Sequence, residues 1–193
     1  PNPGLAIAGG AKLGSNFYVT GAVADANADP SSPDLDVFSD GELFKSVEIG
    51  YTSGFDRIYF DNIHFTFWHA DEAADGSRRE DYGATFSAAW FIENKWMPFF
   101  RAGTSKGRAA LYEKSVSAGL GYYARNTDMA GIGLNWAEAD GISGDQKTIE
   151  AFYRFSISPN LQITPSVQYI KDPLLNSSAS SLTLWGLRAR IVF

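Results

Sequence analysis

Residues 181–193 read Ser-Leu-Thr-Leu-Trp-Gly-Leu-Arg-Ala-Arg-Ile-Val-Phe. The alternation of apolar and polar residues predicts a β-strand, in which successive side chains point to opposite faces. Arg188 and Arg190 then share one face with Gly186 and Val192. The other face carries only apolar side chains, which are Trp185, Leu187, Ala189, Ile191 and Phe193.

Two arginines in one strand are costly if their face meets a dry core. They are acceptable if that face meets water while the opposite face meets an apolar medium. The closing strand of a membrane β-barrel meets this condition, because such a barrel is apolar outside and polar inside. The last strand of a soluble barrel or sandwich is the alternative that this stretch leaves open.

The composition fits a single large all-β unit. The 193 residues contain no cysteine, which excludes disulfides and thiolate metal sites, and 19 glycines. The net charge of −6 and the lack of a basic run make the chain a poor nucleic-acid binder. The sequence contains no apolar run long enough for a transmembrane helix, and no signal peptide is visible.

Eleven segments have the character of strands, and their connections alternate in length. We predict short turns near residues 14, 53, 93, 126 and 159, and longer loops near residues 34, 75, 108, 142 and 175. Such alternation is typical of an antiparallel, up-and-down transmembrane β-barrel. The predicted strands are residues 5–13, 17–26, 43–51, 57–69, 81–91, 95–104, 114–124, 129–138, 146–157, 161–170 and 181–193. We expect Pro165 to mark a bulge or an irregular pairing, since proline cannot donate to a ladder.

Nearly every predicted strand has one apolar and one polar face. The apolar face carries Phe17, Val19, Val47, Ile49, Phe86, Leu120, Leu134, Ile149, Phe155, Ile163, Val167 and Leu187. The polar face carries Thr20, Glu48, Asn62, His64, Thr66, Arg101, Ser117, Asn135, Glu150, Arg154, Gln162, Thr164, Gln168, Arg188 and Arg190. This polar face is too large and too charged for the filled interior of a small soluble barrel. Aromatic residues gather near the strand ends, as in the interfacial belts of membrane barrels.

Six stretches together resemble the carbohydrate-selective porin family, often called OprB. They are Phe17-Tyr-Val-Thr-Gly-Ala-Val-Ala-Asp-Ala-Asn-Ala-Asp-Pro30, Gly41-Glu-Leu-Phe-Lys-Ser-Val-Glu-Ile-Gly-Tyr51, Asp61-Asn-Ile-His-Phe-Thr-Phe-Trp-His69, Ser115-Val-Ser-Ala-Gly-Leu-Gly-Tyr-Tyr123, Asn160-Leu-Gln-Ile-Thr-Pro-Ser-Val-Gln-Tyr169 and Gly186-Leu-Arg-Ala-Arg190. The resemblance implies a sixteen-stranded barrel in the bacterial outer membrane that passes glucose and similar sugars. It also implies that residues 1–193 are one barrel domain, the C-terminal portion, with the N-terminal strands absent.

Four arginines are the main candidates for contact with a sugar in transit: Arg101, Arg154, Arg188 and Arg190. Their guanidinium groups can donate several hydrogen bonds to hydroxyls. The alternative is structural pairing with wall carboxylates such as Glu48 and Glu150.

Aromatic side chains on the polar face could stack on sugar rings or pack against an inward loop; they are Trp68, Phe99, Tyr123 and Phe152. His64 is expected to form hydrogen bonds in the wall.

No cofactor, resident metal or catalytic group is expected. The acidic loop from Asp25 to Asp40 lacks the pattern of an EF-hand, although a looser calcium site there stays open. The expected partners are sugars, outer-membrane lipid and lipopolysaccharide, and a further copy or the missing part of the barrel.

Two other functions stay open. A barrel enzyme, such as an outer-membrane phospholipase or protease, would need a Ser–His or Asp–His pair at the outer rim, where His69 lies beside Asp71 and Glu72. A soluble ligand-binding β-barrel is the other.

Overall fold

The computed structural model describes residues 5–25, 41–73, 76, 79–107, 110–124, 127–176 and 178–192. In these residues eleven strands form one sheet whose strand order follows the sequence. The strands are β1 (Ala6–Leu13), β2 (Phe17–Asp25), β3 (Leu43–Thr52), β4 (Asn62–Ala70), β5 (Asp81–Ala89), β6 (Trp96–Lys106), β7 (Lys114–Tyr123), β8 (Met129–Glu138), β9 (Asp145–Ser158), β10 (Leu161–Lys171) and β11 (Ser181–Ile191). The predicted all-β, antiparallel, up-and-down fold is confirmed.

The chain divides into two compact units. Unit 1 consists of residues 1–87 and 103–114, and unit 2 of residues 88–102 and 115–193. Unit 1 therefore contains β1 to β4, and unit 2 contains β7 to β11. Within the described stretches, no helix is long and apolar enough to span a membrane.

The strand register pairs apolar residues with apolar residues on one face of the sheet, and polar residues with polar residues on the other. In unit 1, Val19 is opposite Ile49 on the apolar face, and Thr20 is opposite Glu48 on the polar face. In unit 2, Ile163 of β10 is opposite Ala189 of β11 on the apolar face. Because the side-chain period of a strand is two, a slip of one residue would exchange the two faces. The register therefore agrees with the faces predicted from the sequence.

Among the described residues, the apolar face is not covered by other parts of the protein. Large side chains along it stay accessible, with exposed fractions of 53% for Phe67, 58% for Leu134 and 77% for Leu187. The buried apolar side chains among the described residues are few, namely Tyr18, Ala70, Ala73, Ala137, Ala139 and Leu174. A sandwich would instead bury one face of each sheet in a core. The accessible apolar face suits an apolar medium.

Aromatic pairs lie near the turn ends of the strands. The rings of Phe17 and Tyr51 meet edge to face with their centroids 5.1 Å apart. In unit 2, Trp96 lies 4.5 Å from Tyr122, and Nζ of Lys95 lies 5.1 Å from the same Tyr122 ring. Rings beside a lysine suit an interface, where one end of the side chain is apolar and the other is wet.

The fourth strand begins later than predicted. The sequence pattern placed its start at residue 57, but Phe55–Arg57 form a 3₁₀ turn and β4 begins at Asn62. Asp61 holds this connection together, because its Oδ2 accepts hydrogen bonds from Ser53 Oγ and Arg57 Nε, both at 2.6 Å. The connection therefore spans residues 53–61, and the predicted alternation of short turns and long loops is less regular than expected.

Two other turns agree with their sequences. Gly14, between β1 and β2, has φ of 74°. Glu93 and Asn94 both have φ of 53° and join the short pair formed by Ile92 and Trp96. Tight hairpins need such positive φ values. The turn predicted at Glu93 and Asn94 is therefore found where expected.

Pro165 interrupts one ladder without changing its register. On β11 it is opposite Leu187, but within the described residues the ladder with β9 shows no partner for Thr164 or Pro165. The missing amide hydrogen of proline explains the gap. The bulge in this ladder lies elsewhere, between Leu161 and Gln162.

Candidate functional site

The polar face of unit 1 carries a connected hydrogen-bond network around Glu48. Tyr18 Oη donates to Glu48 Oε1 at 2.9 Å, and Thr66 Oγ1 donates to Glu48 Oε2 at 2.8 Å. His64 Nε2 lies 3.8 Å from Glu48 Oε2, and its Nδ1 lies 2.5 Å from Asn62 Oδ1. Asn62 Nδ2 in turn donates to Tyr18 Oη at 3.1 Å. Wall residues therefore hold both oxygens of this carboxylate.

Register explains why the network forms. Thr66 is the direct partner of Glu48 on β4, and Tyr18 is the direct partner of Gly50 on β2. With no side chain at Gly50, the Tyr18 ring lies over that position and its hydroxyl reaches Glu48. Hydrogen bonds to a charged acceptor are stronger than neutral ones.

Aromatic rings on the polar face lie over glycines of the neighbouring strand. A Cβ atom added at Gly50 or Gly131 would overlap the rings of Tyr18 or Phe152. The same holds at two further pairs, where the nearest ring atom would lie 2.6 Å from the added Cβ for Trp68 at Gly83 and 2.5 Å for Phe99 at Gly119. A real Cβ cannot approach so closely, so these four glycines are where the rings can lie flat against the wall.

Two of the aromatic side chains that were predicted on the polar face each contact a second aromatic ring. Trp68 stacks on Phe44 with centroids 6.1 Å apart and an interplanar angle of 23°. Tyr123 meets Phe91 edge to face at 5.2 Å. These rings are held by the wall itself, whereas the sequence analysis considered an inward loop as their packing partner.

A second polar cluster lies where β3 and β4 meet the loop after Ala70. Lys45 Nζ donates to Asp71 Oδ2 at 2.8 Å, and the backbone amide of Leu43 donates to the same oxygen at 2.9 Å. The hydrogen bond from Lys45 lowers the pKa of Asp71, so the carboxylate stays ionised. His69 lies between two carboxylates, with Nδ1 3.2 Å from Asp71 and Nε2 2.9 Å from Glu80. Neither ring nitrogen is left for a serine hydroxyl.

The polar face of unit 2 holds its carboxylate differently. Glu150 is opposite Gly133 on β8 and opposite Gln168 on β10. Its contact within the described residues is a long hydrogen bond, from Gln168 Nε2 to Oε2 at 3.4 Å. The Glu150 side chain is exposed. Most of its capacity to accept hydrogen bonds is therefore free.

The four predicted arginines share the polar face without an acidic partner. Arg188 and Arg190 are exposed on β11, opposite Thr164 and Gln162 of β10. Arg154 on β9 is opposite Met129, and Nε of Arg154 is buried without a hydrogen bond. Within the part of the chain that the structure describes, no ion pair joins any of these four arginines to a carboxylate. Pairing with Glu48 or Glu150, the alternative raised by the sequence, does not occur in this structure.

A cavity of about 240 Å³ opens on the polar face of unit 2. Rings of Phe99 and Phe152 border it, and Glu150 lies at its edge. We call it the Phe99–Phe152 cavity. Its floor consists of Gly121, Gly131 and Gly133, on β7 and β8. The rest of the lining comes from Met97, Met129, Leu120 and Ile132. Arg101 lies close by, with Cζ 5.8 Å from the centroid of Phe99.

The predicted site residues thus fall into two groups. In unit 1, the structure brings Glu48 and His64 together, and Trp68 lies two positions beyond Thr66 on the same strand face. In unit 2, Glu150 and Arg154 share a face of β9, and Arg188 and Arg190 share a face of β11. Within each group, register and not sequence spacing determines which side chains are neighbours.

Sequence reasoning missed the three floor glycines and Tyr18. Glycine is common throughout this chain, so composition does not distinguish a floor glycine from a turn glycine. The available indication was the alternation of Gly131 and Gly133 with apolar residues on a strand, since glycine inside a strand often marks a close approach. Which neighbour approaches could be learned only from the strand register.

Metal binding has no support in the described stretches. They contain no cluster of three or more His, Asp or Glu side chains that could hold an ion. The proposed calcium loop up to Asp40 lies outside the described residues except for Asp25, the last residue of β2. Phe193, predicted to end the last strand, also lies outside them.

Comparisons with known proteins agree with this architecture. The high-pH structure of Pseudomonas putida OprB superposes with a TM-score of 0.73 at 14% sequence identity, covering 96% of this chain and 58% of that one. At this identity the likeness shows the fold. The protein alr4550 of Nostoc sp. is 23% identical over 221 residues, covering 96% of this chain and 37% of its own length. The chain thus spans less than two thirds of both relatives.

The family assignment comes from the sequence itself. Residues 51–193 match the family described as carbohydrate-selective porin, OprB family. This match extends over well more than half of the chain, including the polar-face residues of β4 and of β6 to β11. The chain therefore belongs to the carbohydrate-selective porin, OprB family.

Proposed function

We propose that this chain forms part of the wall of an outer-membrane channel through which neutral sugars such as glucose diffuse. Sugars pass along the polar face and touch Arg101, Arg154, Arg188 and Arg190. The observation that carries the proposal is that these arginines have no acidic partner among the described residues. Family membership and the OprB-like fold support it.

The chemistry of guanidinium suits this task. Each group has five N–H donors, and a sugar hydroxyl is a good acceptor. In a water-filled channel the exposed arginines, Arg101, Arg188 and Arg190, keep most of their hydration, so each contact is weak. Weak contacts at several places are what conduction requires, since a ligand must both enter and leave. The arginines also favour anions, despite the net charge of −6 of the whole chain.

The remaining polar-face residues have supporting roles in this proposal. Glu48 and His64 belong to a wall network that maintains the shape of the channel in unit 1. Glu150 faces the passing solute, and the Trp68 ring lies against the wall beside the path. The apolar face contacts membrane lipid and lipopolysaccharide, and a further copy or further strands complete the barrel.

A channel is favoured over an enzyme by the family and the fold. The rim histidine that could have suggested hydrolysis is His69. Both of its ring nitrogens lie within 3.2 Å of carboxylate oxygens. A serine hydrolase needs one of these nitrogens to accept the serine proton.

The test uses the complete gene product in planar lipid bilayers. Glucose at millimolar concentration should reduce the ion current. Arg188→Ala combined with Arg190→Ala should weaken this block and lower the preference for anions, because the double variant lacks two guanidinium groups and their positive charges.

The matched control removes two cations from the other face. Lys147 and Lys171 are direct partners on β9 and β10 and lie on the apolar side of the strands. Replacing both with alanine should leave the glucose block near the parental value. An ion current that glucose does not change would refute sugar passage, and equal behaviour of the two double variants would refute the assignment of Arg188 and Arg190.

A further inference from the structure

We infer that the Phe99–Phe152 cavity is a binding subsite for one pyranose ring, with Glu150 as the acceptor for its hydroxyls. This inference rests on the proposed function and makes it specific, since it places a stopping point at one position on the wall. None of the four arginines is needed to form the cavity.

The size of the cavity matches a single sugar ring. Its volume is about 240 Å³, which is below the roughly 300–1,000 Å³ of sites for drug-sized ligands. An oligosaccharide would extend out of it into the channel. The cavity lies on the polar face, so a diffusing solute reaches it without crossing the wall.

The lining suits the faces of a pyranose. A pyranose presents C–H groups on its two flat faces and hydroxyls around its edge. Rings of Phe99 and Phe152, with the thioethers of Met97 and Met129, form an apolar surface that C–H groups can contact. Glu150 at the edge accepts hydroxyl donors, and charge-assisted hydrogen bonds are stronger than neutral ones. The apolar floor therefore contacts the C–H face of the pyranose, while the carboxylate accepts hydrogen bonds from the hydroxyls at its edge.

Gly133 is the open part of the floor. A Cβ added there would meet only Cζ of Phe99, at 3.6 Å, which is ordinary van der Waals contact. Gly131, by contrast, is already covered by Phe152, and Gly121 by Met129. The space above Gly133, directly opposite Glu150, is where a ligand ring can lie. A Cβ fits at this position, and a larger side chain attached to it would extend into the space that the ligand ring needs.

The experiment measures glucose block of the ion current for Gly133→Val and Glu150→Gln in the complete gene product. Valine should fill the space above the floor and weaken glucose affinity about tenfold, which corresponds to about 1.4 kcal/mol. Glutamine keeps the shape but loses the charge, and should weaken affinity about fivefold. Correct folding of each variant is checked by the shift of unheated samples on electrophoresis.

The matched control is Gly9→Val on β1. Gly9 also has open space around an added Cβ, but it lies on the apolar face, opposite Gly21. This variant carries the same substitution and should keep the parental glucose affinity. A second arm compares glucose with a linear hexitol, which offers hydroxyls but no flat ring face, and the hexitol should block the parent about tenfold more weakly.

The outcomes separate this subsite from the function on which it rests. A parent that glucose does not block refutes the proposed function. A parent that glucose blocks, with unchanged affinity in both Gly133→Val and Glu150→Gln, refutes the subsite alone. Equal block of the parent by glucose and the hexitol also refutes the subsite, because the floor would then not recognise a ring.

Discussion

The polar faces of the two units are built in the same way but leave their carboxylates in different states. In unit 1, Glu48 accepts hydrogen bonds from Tyr18 and Thr66 at 2.9 and 2.8 Å. In unit 2, the hydrogen bond that Glu150 accepts within the described residues is long, at 3.4 Å from Gln168. One of the two direct cross-strand neighbours explains the difference. On one side Glu48 faces the hydroxyl of Thr66, while Glu150 faces Gly133, which has no side chain. On the other side the neighbours are Thr20 and Gln168.

The residue at one cross-strand position thus decides whether a carboxylate on this wall is held by hydrogen bonds within the wall or is available to bind a solute. A hydroxyl opposite the carboxylate ties it to the wall. A glycine opposite the carboxylate leaves it open to solute. Cross-strand pairs are the unit in which sheet interactions act, and here they also separate supporting residues from candidate binding residues.

The largest expected effect tests the premise that the compared residues face water. Ile163→Arg places a charge on the apolar face and should cost about 2–4 kcal/mol of stability near the middle of the membrane. Thr164→Arg, the next residue, should cost below about 1 kcal/mol, from repulsion by Arg188 opposite it. Refolding titrations in lipid vesicles measure both. Equal costs would remove the basis for calling either face polar.

The next effect compares two glycines that differ in what lies above them. Gly50→Ala should destabilise by about 1–3 kcal/mol, because its Cβ overlaps the Tyr18 ring and forces the network around Glu48 to move. Gly133→Ala should be neutral or slightly stabilising, since its Cβ has room and glycine weakens a strand. Unfolding midpoints under identical conditions provide the test. A larger loss at Gly133 than at Gly50 would reverse the comparison.

The smallest effect concerns the carboxylates themselves. Glu48→Gln should cost about 1 kcal/mol, because hydrogen bonds to a charged acceptor are worth more than those to a neutral amide. Glu150→Gln should change the free energy of unfolding by less than about 0.5 kcal/mol, since the one contact it loses is long. Denaturant titration of both variants decides. A cost at Glu150 as large as that at Glu48 would mean that Glu150 is structural.

Much of the fold could be predicted because strand periodicity is a local property. The alternation around Leu187 and Arg188 identifies both faces, and most of the other ten strands follow the same rule. The start of β4 could not be predicted in this way. Residues 57–60 look like a strand, but the side chain of Asp61 closes a turn with Ser53 and Arg57. Such side-chain turns leave no periodic pattern.

The candidate site was predictable only in part, for a related reason. The sequence places Glu48, Glu150 and the arginines on the correct face, because face depends on parity alone. Which residue lies opposite each of them depends on turn lengths and bulges between the strands, such as the bulge at Leu161. The difference between Glu48 and Glu150, and the cavity beside Phe152, arise from that register.

The rings that lie over glycines also bear on how this wall can change in descent. Gly50 cannot gain a side chain while Tyr18 stays where it is, and the ring of Phe152 restricts Gly131 in the same way. The glycine and the aromatic residue of each pair must therefore be replaced together or both be kept. Among relatives, a residue larger than glycine at position 50 should accompany loss of the ring at position 18. No ring lies in close contact over Gly133. It is therefore the position at which this wall can acquire a new side chain by a single substitution.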